Sequence, residues 1–338
     1  MSATMNRKFI LTSRPHGMPT EEQFRIVEEP IPAAAEEEIV VRSLYISVDP
    51  YMRGRMNEGP SYTAAFEVGS VISGGAVGQV VSSRSSKLRE GDIVSGMWGW
   101  QEYAAVSAEH VQRIDPDQAP VSTALGILGM PGLTAYFGLL DIGRPEPGET
   151  VVVSGAAGAV GSVVGQIAKL KGCRVVGIAG SQDKLAYLKD ELGFDAVVNY
   201  KSDAFDSELK QACPDGVDVY FDNVGGSVSD AVIALLNKGA RIPLCGQISL
   251  YNLEKPDEGP RIQPQLLTKR ALIQGFIVGD YAEQFPEAVV QLARWLQADK
   301  LSYTETVLEG FEKLPQAFLG LFEGSNTGKL LVRTGEVE

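Results

Sequence analysis

A strand, a glycine turn and a helix follow one another in the middle of the chain. The apolar run Val151–Val153 meets the small-residue turn Ser154–Gly158, and a helix-like segment continues to Lys171, before Gly172. Glycines recur at every third position, at Gly155, Gly158 and Gly161. This spacing is a variant of the dinucleotide fingerprint, in which glycines allow a tight turn, close approach of a pyrophosphate, and contact between helix and strand. The N–H groups at the start of the helix would bind that pyrophosphate.

A second strand, Arg174–Ala179, follows the helix and completes one βαβ unit. The flanking segments therefore favour a Rossmann unit that binds a dinucleotide over a glycine-rich turn that packs tightly without a ligand.

The bulk properties of the chain exclude several classes of partner. Its 338 residues are enough for two domains with sizeable cores. The net charge of −13 argues against nucleic acid and anionic membrane as partners. We find no apolar run near the ~18–20 residues of a membrane span and no signal-peptide pattern, so we expect a cytoplasmic protein.

The possible metal ligands are few and scattered. Cys173, Cys213 and Cys245 stand far apart, and the histidines, His16 and His110, do not form a ligand-spaced pair. We therefore expect no metal site and no disulfide framework, and both histidines are interpreted as surface residues.

The pattern of predicted strands and helices changes twice along the chain. Residues 1–120 contain short strand-like runs separated by turns, which is typical of a small barrel or sandwich. Residues 121–299 alternate strands with helices, Val228–Lys238 being one such helix, and this alternation predicts a parallel doubly wound sheet. The stretch Leu301–Glu338 returns to a β-like texture, so we expect residues 300–338 to complete the first domain. The fold class predicted is α/β, with a second, β-rich domain.

The segment Asp49–Arg55 interrupts the strands of the first domain. We predict a loop that presents Tyr51 with the cations Arg53 and Arg55. Two interpretations stay open: an ordinary loop with solvated arginines, or a loop that faces a cofactor or substrate.

The end of the second Rossmann strand distinguishes NAD from NADP. An enzyme that uses NAD usually carries Asp or Glu there, which binds the ribose 2′-hydroxyl. This chain has Gly180 and Ser181 instead, and Asp183 already lies inside the next helix. Lys184 is either a solvated lysine or a partner for a 2′-phosphate. With the acid missing, we favour NADPH.

Two later strand ends also point to a ligand, because ligands bind at the carboxyl ends of parallel strands. Asn223 follows one strand and is expected near the cofactor. Tyr251 follows another and points into the cleft or packs as a half-buried ring.

Eight motifs in order resemble a known family. They are VDPYMR, GAAGAVGS, GIAGSQDKLAYLK, NYK, YFDNVGG, CGQISLYN, GFIV and GSNTGK, spread between residues 7 and 333. The pattern is similar to that of the zinc-free medium-chain reductases of the leukotriene B4 dehydrogenase, prostaglandin reductase and curcumin reductase group. The resemblance implies a GroES-like β-rich barrel domain beside a Rossmann domain, a homodimer, and NADPH as hydride donor to the C=C bond of an α,β-unsaturated aldehyde or ketone.

The resemblance also implies a set of site residues. The residues at the cofactor would be Gly158, Ala159, Val160, Gly161, Ser162, Gly180, Ser181, Lys184, Tyr200, Asn223, Cys245, Gly246, Ile248, Ser249, Tyr251, Phe276, Ile277, Val278 and Asn326. Those facing the substrate, with catalytic roles, would be Tyr51, Tyr62 and Tyr251. Leu250 departs from the polar residue that often precedes the loop tyrosine, which weakens a proton relay through this loop. The segment Phe66–Gly69 lacks the Gly-His-Glu of zinc alcohol dehydrogenases.

The expected reaction is a conjugate reduction. Negative charge develops on the carbonyl oxygen and needs a hydrogen-bond donor, for which Tyr251, Tyr62 and the ribose hydroxyl of the cofactor are the candidates. Two alternatives stay open: reduction of quinones by the same architecture, and a protein that binds NADPH without catalysis.

Overall fold

The computed structural model describes residues 5–337, and these residues form two compact units. The first unit comprises residues 5–126, 305–325 and 330–337. The second comprises residues 127–304 and 326–329.

Fifteen strands run through the described residues. They are β1 (Met5–Leu11), β2 (Phe24–Pro30), β3 (Glu38–Ser47), β4 (Ala76–Ser83), β5 (Ile93–Gly96), β6 (Tyr103–Ser107), β7 (Gln112–Ile114), β8 (Thr150–Val153), β9 (Arg174–Ala179), β10 (Ala196–Asn199), β11 (Val217–Phe221), β12 (Leu236–Leu244), β13 (Leu272–Gly275), β14 (Glu305–Glu309) and β15 (Lys329–Arg333).

Nine α-helices lie between these strands in the same part of the chain. They are α1 (Tyr51–Arg55), α2 (Met130–Phe137), α3 (Gly161–Leu170), α4 (Gln182–Ala186), α5 (Phe205–Ala212), α6 (Gly226–Ile233), α7 (Gln263–Lys269), α8 (Phe285–Gln297) and α9 (Leu314–Glu323). Wider π-type turns extend α2 over Gly138–Gly143 and α4 over Tyr187–Glu191.

The first unit is rich in antiparallel strands. Six strands of its seven-stranded sheet follow the order β14-β15-β3-β4-β5-β7, and β6 pairs with β3. β1 and β2 form a separate antiparallel pair. The side chain of Trp100 is fully buried, and it contacts the rings of Phe9, Phe24 and Phe318 at centroid distances of 5.6–6.0 Å. Aromatic packing therefore contributes much of this core.

The second unit contains a six-stranded sheet of order β10-β9-β8-β11-β12-β13, in which every paired strand runs parallel. From β8 the chain first adds strands on one side and then, from β11, on the other. The order thus reverses between β8 and β11, and the crevice at such a point is where open α/β sheets bind ligands.

The strand β8 shows why this sheet is buried on both faces. Its side chains alternate between two cores: Val151 and Val153 join the core that includes α3, whereas Val152 joins the core that includes α6. Continuous apolar runs of this kind are typical of parallel strands covered by helices on both sides. The predicted fold class, a Rossmann-type parallel sheet together with a β-rich domain, is confirmed.

Three local predictions were wrong. The helix predicted over Val228–Lys238 is α6, which ends at Ile233, and Leu236–Lys238 already belong to β12. The β-like stretch 301–338 contains the helix α9. Hydrophobic periodicity predicted the wrong element in both places, because short apolar runs are compatible with either a helix or a strand.

The third wrong prediction is the loop Asp49–Arg55. Residues 51–55 form the helix α1, and Arg53 is only 2% exposed. Its guanidinium donates hydrogen bonds to the carbonyl of Gly17 at 2.8 Å and to the side chain of Asn57 at 2.7 Å, and burial lowers its pKa. Arg53 is therefore a structural cation and not a solvated one.

Candidate active site

The glycine turn after β8 has the geometry of a nucleotide-binding turn. Gly155 adopts a left-handed conformation with φ of +58°, which glycine tolerates best. A Cβ placed on Gly161 would overlap the carbonyl oxygen of Gly155 and lie 2.8 Å from the Cα of Ala156. The start of α3 thus packs directly on the turn, and no side-chain hydrogen bond caps its first turn. A helix start of this kind favours an anionic group.

A second segment lies against the same turn. The N–H of Gly328 donates to the carbonyl of Ala157 at 2.7 Å, and Gly158 and Gly328 form an isolated parallel bridge. The side-chain amide of Asn326 donates to the carbonyl of Gly328 at 2.7 Å. The segment that contains Asn326 therefore lies against the glycine turn, although the two are far apart in the sequence. The role of Asn326 at a cofactor stays a prediction.

Asn223 joins the ends of β8 and β11. Its backbone N–H donates to the Ser154 hydroxyl at 2.9 Å, and its side-chain amide donates to the Ser154 carbonyl at 2.8 Å. Two residues 69 positions apart thus meet at the point where the strand order reverses.

The loop after β12 runs alongside the segment that follows β11. Backbone N–H groups of Cys245, Ile248 and Ser249 donate to the carbonyls of Asp222, Asn223 and Val224 at 2.9, 3.3 and 3.1 Å. Burial raises the pKa of the Cys245 thiol to about 12, so this thiol stays protonated. The residues expected along the cofactor, Cys245 to Tyr251, are therefore held in register against Asn223.

Tyr251 lies at the end of this loop, with its hydroxyl turned back toward the backbone. The phenol oxygen accepts a hydrogen bond from the N–H of Gln247 at 3.2 Å. Burial raises the pKa of Tyr251 above its ordinary value of 10, the Gln247 contact lowers it, and Cys245 and Asp222 raise it further. Because the phenol keeps its proton, Tyr251 is available as a hydrogen-bond donor.

Further residues that are expected at a cofactor lie at the ends of β9 and β10. The side chain of Tyr200 lies against the backbone of Gly180, so that a Cβ on Gly180 would lie 2.6–2.9 Å from two ring atoms and the phenol oxygen. Ser181 caps α4 by accepting a hydrogen bond from the N–H of Lys184 at 3.4 Å. The exposed Lys201 lies with its Nζ 5.8 Å from the centre of the Tyr200 ring.

Two lysines therefore lie near each other in an acidic chain. Burial lowers the pKa of Lys184, and the charge of Lys201 lowers it further. A dianion placed between these lysines would remove that repulsion, and the N-terminus of α4 would add to the attraction. The residues at this strand end thus fit a 2′-phosphate. Lys201 was not predicted as a site residue from the sequence, although it follows Tyr200 directly in the quoted NYK motif.

The residues of the GFIV segment differ in how far their side chains are buried. The ring of Phe276 packs edge-on against Phe221 at 6.3 Å, and a Cβ on Gly138 would lie 2.5 Å from it. Ile277, by contrast, is exposed. The side chain of Phe276 is therefore partly buried against the core of the second unit.

The other two expected substrate residues belong to the first unit. Tyr51 lies in α1 and is half-buried. Burial is the main cause that raises its pKa, and the charge of Asp49 is the second. Tyr62 lies between α1 and β4 and is 62% exposed.

Within residues 5–337, no three His, Cys, Asp or Glu side chains are grouped so that they could hold a metal ion. No helix in this range has the length and apolar character needed to cross a bilayer.

Comparison with known proteins identifies the family. Residues 7–114 match the family model described as the N-terminal domain of oxidoreductase, and residues 159–295 match the one described as zinc-binding dehydrogenase. The chain is 58% identical to YfmJ of Bacillus subtilis (strain 168), covering 96% of this chain and 97% of that protein.

Two further relatives carry functional names. One is the NADPH-dependent curcumin reductase of Escherichia coli (strain K12), 45% identical over 97% of this chain and 96% of the relative. The other is the NADP(+)-dependent 2-alkenal reductase of Nicotiana tabacum, 43% identical over 97% of each.

Among solved structures, CurA from Vibrio vulnificus in complex with NADPH superposes with a TM-score of 0.94. It is 47% identical, and the match covers 98% of this chain and 99% of that one. The chain therefore belongs to the medium-chain dehydrogenase/reductase family, in the group that contains curcumin reductase, 2-alkenal reductase and prostaglandin reductase.

Proposed function

We propose that this protein is an oxidoreductase that uses NADPH to reduce the C=C bond of α,β-unsaturated aldehydes and ketones. The observation that carries the proposal is the pair Lys184 and Lys201 beside Tyr200, at a strand end without a carboxylate. The relatives named as NADPH-dependent curcumin reductase and 2-alkenal reductase support the same cofactor and class of substrate.

The cofactor would lie along the carboxyl edge of the parallel sheet. Lys184, Lys201 and Tyr200 would bind the 2′-phosphate, and Gly158 and the start of α3 would bind the pyrophosphate. Asn223, the loop Cys245–Tyr251 and Asn326 would hold the remainder of the dinucleotide. When bound, NADPH supplies the hydride that is added to the β-carbon of the enone.

The chain itself supplies orientation and a hydrogen-bond donor. The Tyr251 phenol, which keeps its proton, would donate toward the carbonyl oxygen on which negative charge develops. Tyr51 and Tyr62, which belong to the first unit, stay candidate substrate residues because of the family resemblance. Because a tyrosine phenol ordinarily titrates near pH 10, it is a weak acid, and most of the rate enhancement would come from holding two reactants in register.

The proposal includes a homodimer formed through the edge strand β13. This strand pairs with β12 on one side and ends the order of the sheet among the described residues. Leu272 on β13 is 38% exposed, and Ile277 follows it on the surface. An exposed apolar edge strand favours pairing with a second copy of the chain.

The proposal also includes a reducing, cytoplasmic setting. The three cysteines, which form no disulfide, fit such a setting.

A panel of acceptors tests the function. Oxidation of NADPH and of NADH is followed with a linear 2-alkenal, a cyclic enone and a quinone. We expect turnover of the alkenal or enone with NADPH, and at least about tenfold less with NADH, since a charged hydrogen-bonding group is lost. Turnover of quinone alone would replace the proposed substrate class, and NADPH binding without any turnover would remove the enzymatic role.

A further inference from the structure

The side chain of Asp222 is buried directly beneath the candidate active site. It follows β11 and is 3% exposed, and the donors that bind it among the described residues are neutral hydroxyl and N–H groups. Its Oδ1 accepts hydrogen bonds from the Tyr220 hydroxyl at 2.8 Å, the Ser154 hydroxyl at 3.2 Å, and the N–H groups of Val224 and Gly225, both at 3.0 Å. A buried carboxylate requires such donors, and here they come from β11 and from the turns that follow β8 and β11.

The second carboxylate oxygen extends the network to α6. Oδ2 accepts a hydrogen bond from the Ser229 hydroxyl, which is also 3.0 Å from the Tyr220 hydroxyl. Burial, together with the neighbouring Asp222, raises the pKa of Tyr220 well above its ordinary value, so the phenol remains a donor. The Asp222 side chain thus joins β8, β11 and α6 at one point.

The backbone of Asp222 holds the neighbouring loop as well. Its carbonyl accepts the N–H groups of Cys245 at 2.9 Å and Gly246 at 3.1 Å. Through its side chain Asp222 fixes the turn 223–226, and through its carbonyl it fixes the start of the loop 245–251. Asn223 belongs to the first segment and Tyr251 to the second.

We infer that Asp222 is a positioning residue: its carboxylate holds the turn that starts at Asn223, and the carbonyls of Asn223 and Val224 in this turn accept hydrogen bonds from the loop that ends at Tyr251, so that both segments keep the conformation that receives the nicotinamide half of the cofactor. The inference rests on the proposed function. It separates two halves of the site, because the lysines that would bind the 2′-phosphate lie at the ends of β9 and β10 and share none of these hydrogen bonds.

The test compares Asp222→Ala with Asp222→Asn. Asparagine keeps the oxygen that receives four of the five hydrogen bonds, and its amide faces the Ser229 hydroxyl, which can rotate to accept. Alanine removes all five acceptor contacts. Ser227→Ala on the exposed surface of α6 is the matched control.

Three quantities are measured on the full chain: the affinity for NADPH, the affinity for 2′,5′-ADP, which lacks the nicotinamide half, and kcat with the best acceptor. We expect Asp222→Ala to lower kcat by about 100-fold and to weaken NADPH but not 2′,5′-ADP. Asp222→Asn should restore both quantities to within about fivefold of the original chain, and Ser227→Ala should match the original chain.

Two results would overturn the inference. One is an unchanged kcat and an unchanged ratio of the two affinities in Asp222→Ala. The other is a parallel loss of NADPH and 2′,5′-ADP binding together with a lower Tm, because that pattern indicates a purely structural residue.

Milder variants cover the case in which Asp222→Ala does not fold. Tyr220→Phe and Ser229→Ala each remove one donor, and each should lower kcat and the affinity ratio by about three- to tenfold. If neither variant changes these quantities, the inference fails.

The affinity ratio needs no acceptor. If the original chain binds NADPH but reduces no enone, only the proposed function fails. If it does not bind NADPH, both fail.

Discussion

The phenol ring of Tyr200 lies directly against the backbone of Gly180, with ring atoms 2.6–2.9 Å from the position of an added Cβ. Tyr200 follows β10 and Gly180 follows β9, and the N–H of Tyr200 donates to the carbonyl of Ala179 at 3.2 Å. The absence of a side chain at Gly180 therefore lets the Tyr200 ring approach the backbone where the 2′-phosphate is expected.

Gly180→Ala tests this contact. The added methyl group has to displace the Tyr200 ring, which is 45% exposed and free to swing outward. We expect the free energy of unfolding to change by less than about 1 kcal/mol, while KM for NADPH rises severalfold and KM for NADH does not. Equal changes in KM for both cofactors would contradict a role confined to the phosphate.

Lys201→Ala and Lys184→Ala should each raise KM for NADPH by about tenfold, because each removes one charged partner of the 2′-phosphate. The affinity for 2′,5′-ADP, measured by calorimetry, should also depend less on salt concentration in each variant. The control is Lys238→Ala, an exposed lysine in β12. A Lys201 variant with unchanged 2′,5′-ADP affinity would assign the site to Lys184 alone.

Gly161→Ala tests the packing of α3 on the glycine turn. The methyl group would meet the carbonyl of Gly155 and the Cα of Ala156, both of them backbone atoms that cannot rotate away. We expect destabilisation by about 1–3 kcal/mol in denaturant unfolding, with a loss of NADPH affinity.

The same substitution at Gly54 provides the control for Gly161. Nothing lies within 4 Å of a Cβ placed on this residue of α1, so alanine should leave stability unchanged or raise it by up to about 1 kcal/mol. Destabilisation of similar size at both positions would show that the effect does not come from the turn.

Tyr251→Phe tests the proposed hydrogen-bond donor. The raised pKa means that the phenol holds its proton up to pH values above about 10, so activity that depends on it is present below that range and is lost above it. We expect Tyr251→Phe to lower kcat about 10- to 100-fold and to remove the alkaline limb of the pH profile. NADPH affinity serves as the control, and unchanged turnover would exclude Tyr251 from the reaction.

Leu272→Lys tests the homodimer. A charge on the edge strand β13 opposes pairing of two copies, so sedimentation analysis should show a monomer in place of a dimer. Val68→Lys introduces the same charge at an exposed apolar position of the first unit and should leave the dimer intact. The proposal of this interface fails if the original chain is itself a monomer at micromolar concentration.

Local sequence determined much of the second unit. The apolar run of β8, the glycines and the apolar spacing of α3 lie next to one another in the chain, so a strand, a turn and a helix are specified by neighbouring residues alone. The missing carboxylate after β9 is equally local, and it was enough to favour NADPH. The short helices and their boundaries were harder to predict, as the end of α6 at Ile233 shows, because few residues separate it from β12.

Only the tertiary structure decided which distant residues meet. Ser154 and Asp222 are 68 positions apart, yet they share a hydrogen bond because β8 and β11 are neighbours in the sheet. Lys201 becomes a candidate phosphate ligand only because the fold brings it near Lys184 and Tyr200 at adjacent strand ends. Arg53, which was predicted to lie in a loop, is buried because residues 15–17 cover it. The physical reason is that periodicity and turn chemistry act over a few residues, whereas the order of strands, and the burial that follows from it, is set by the packing of the whole unit.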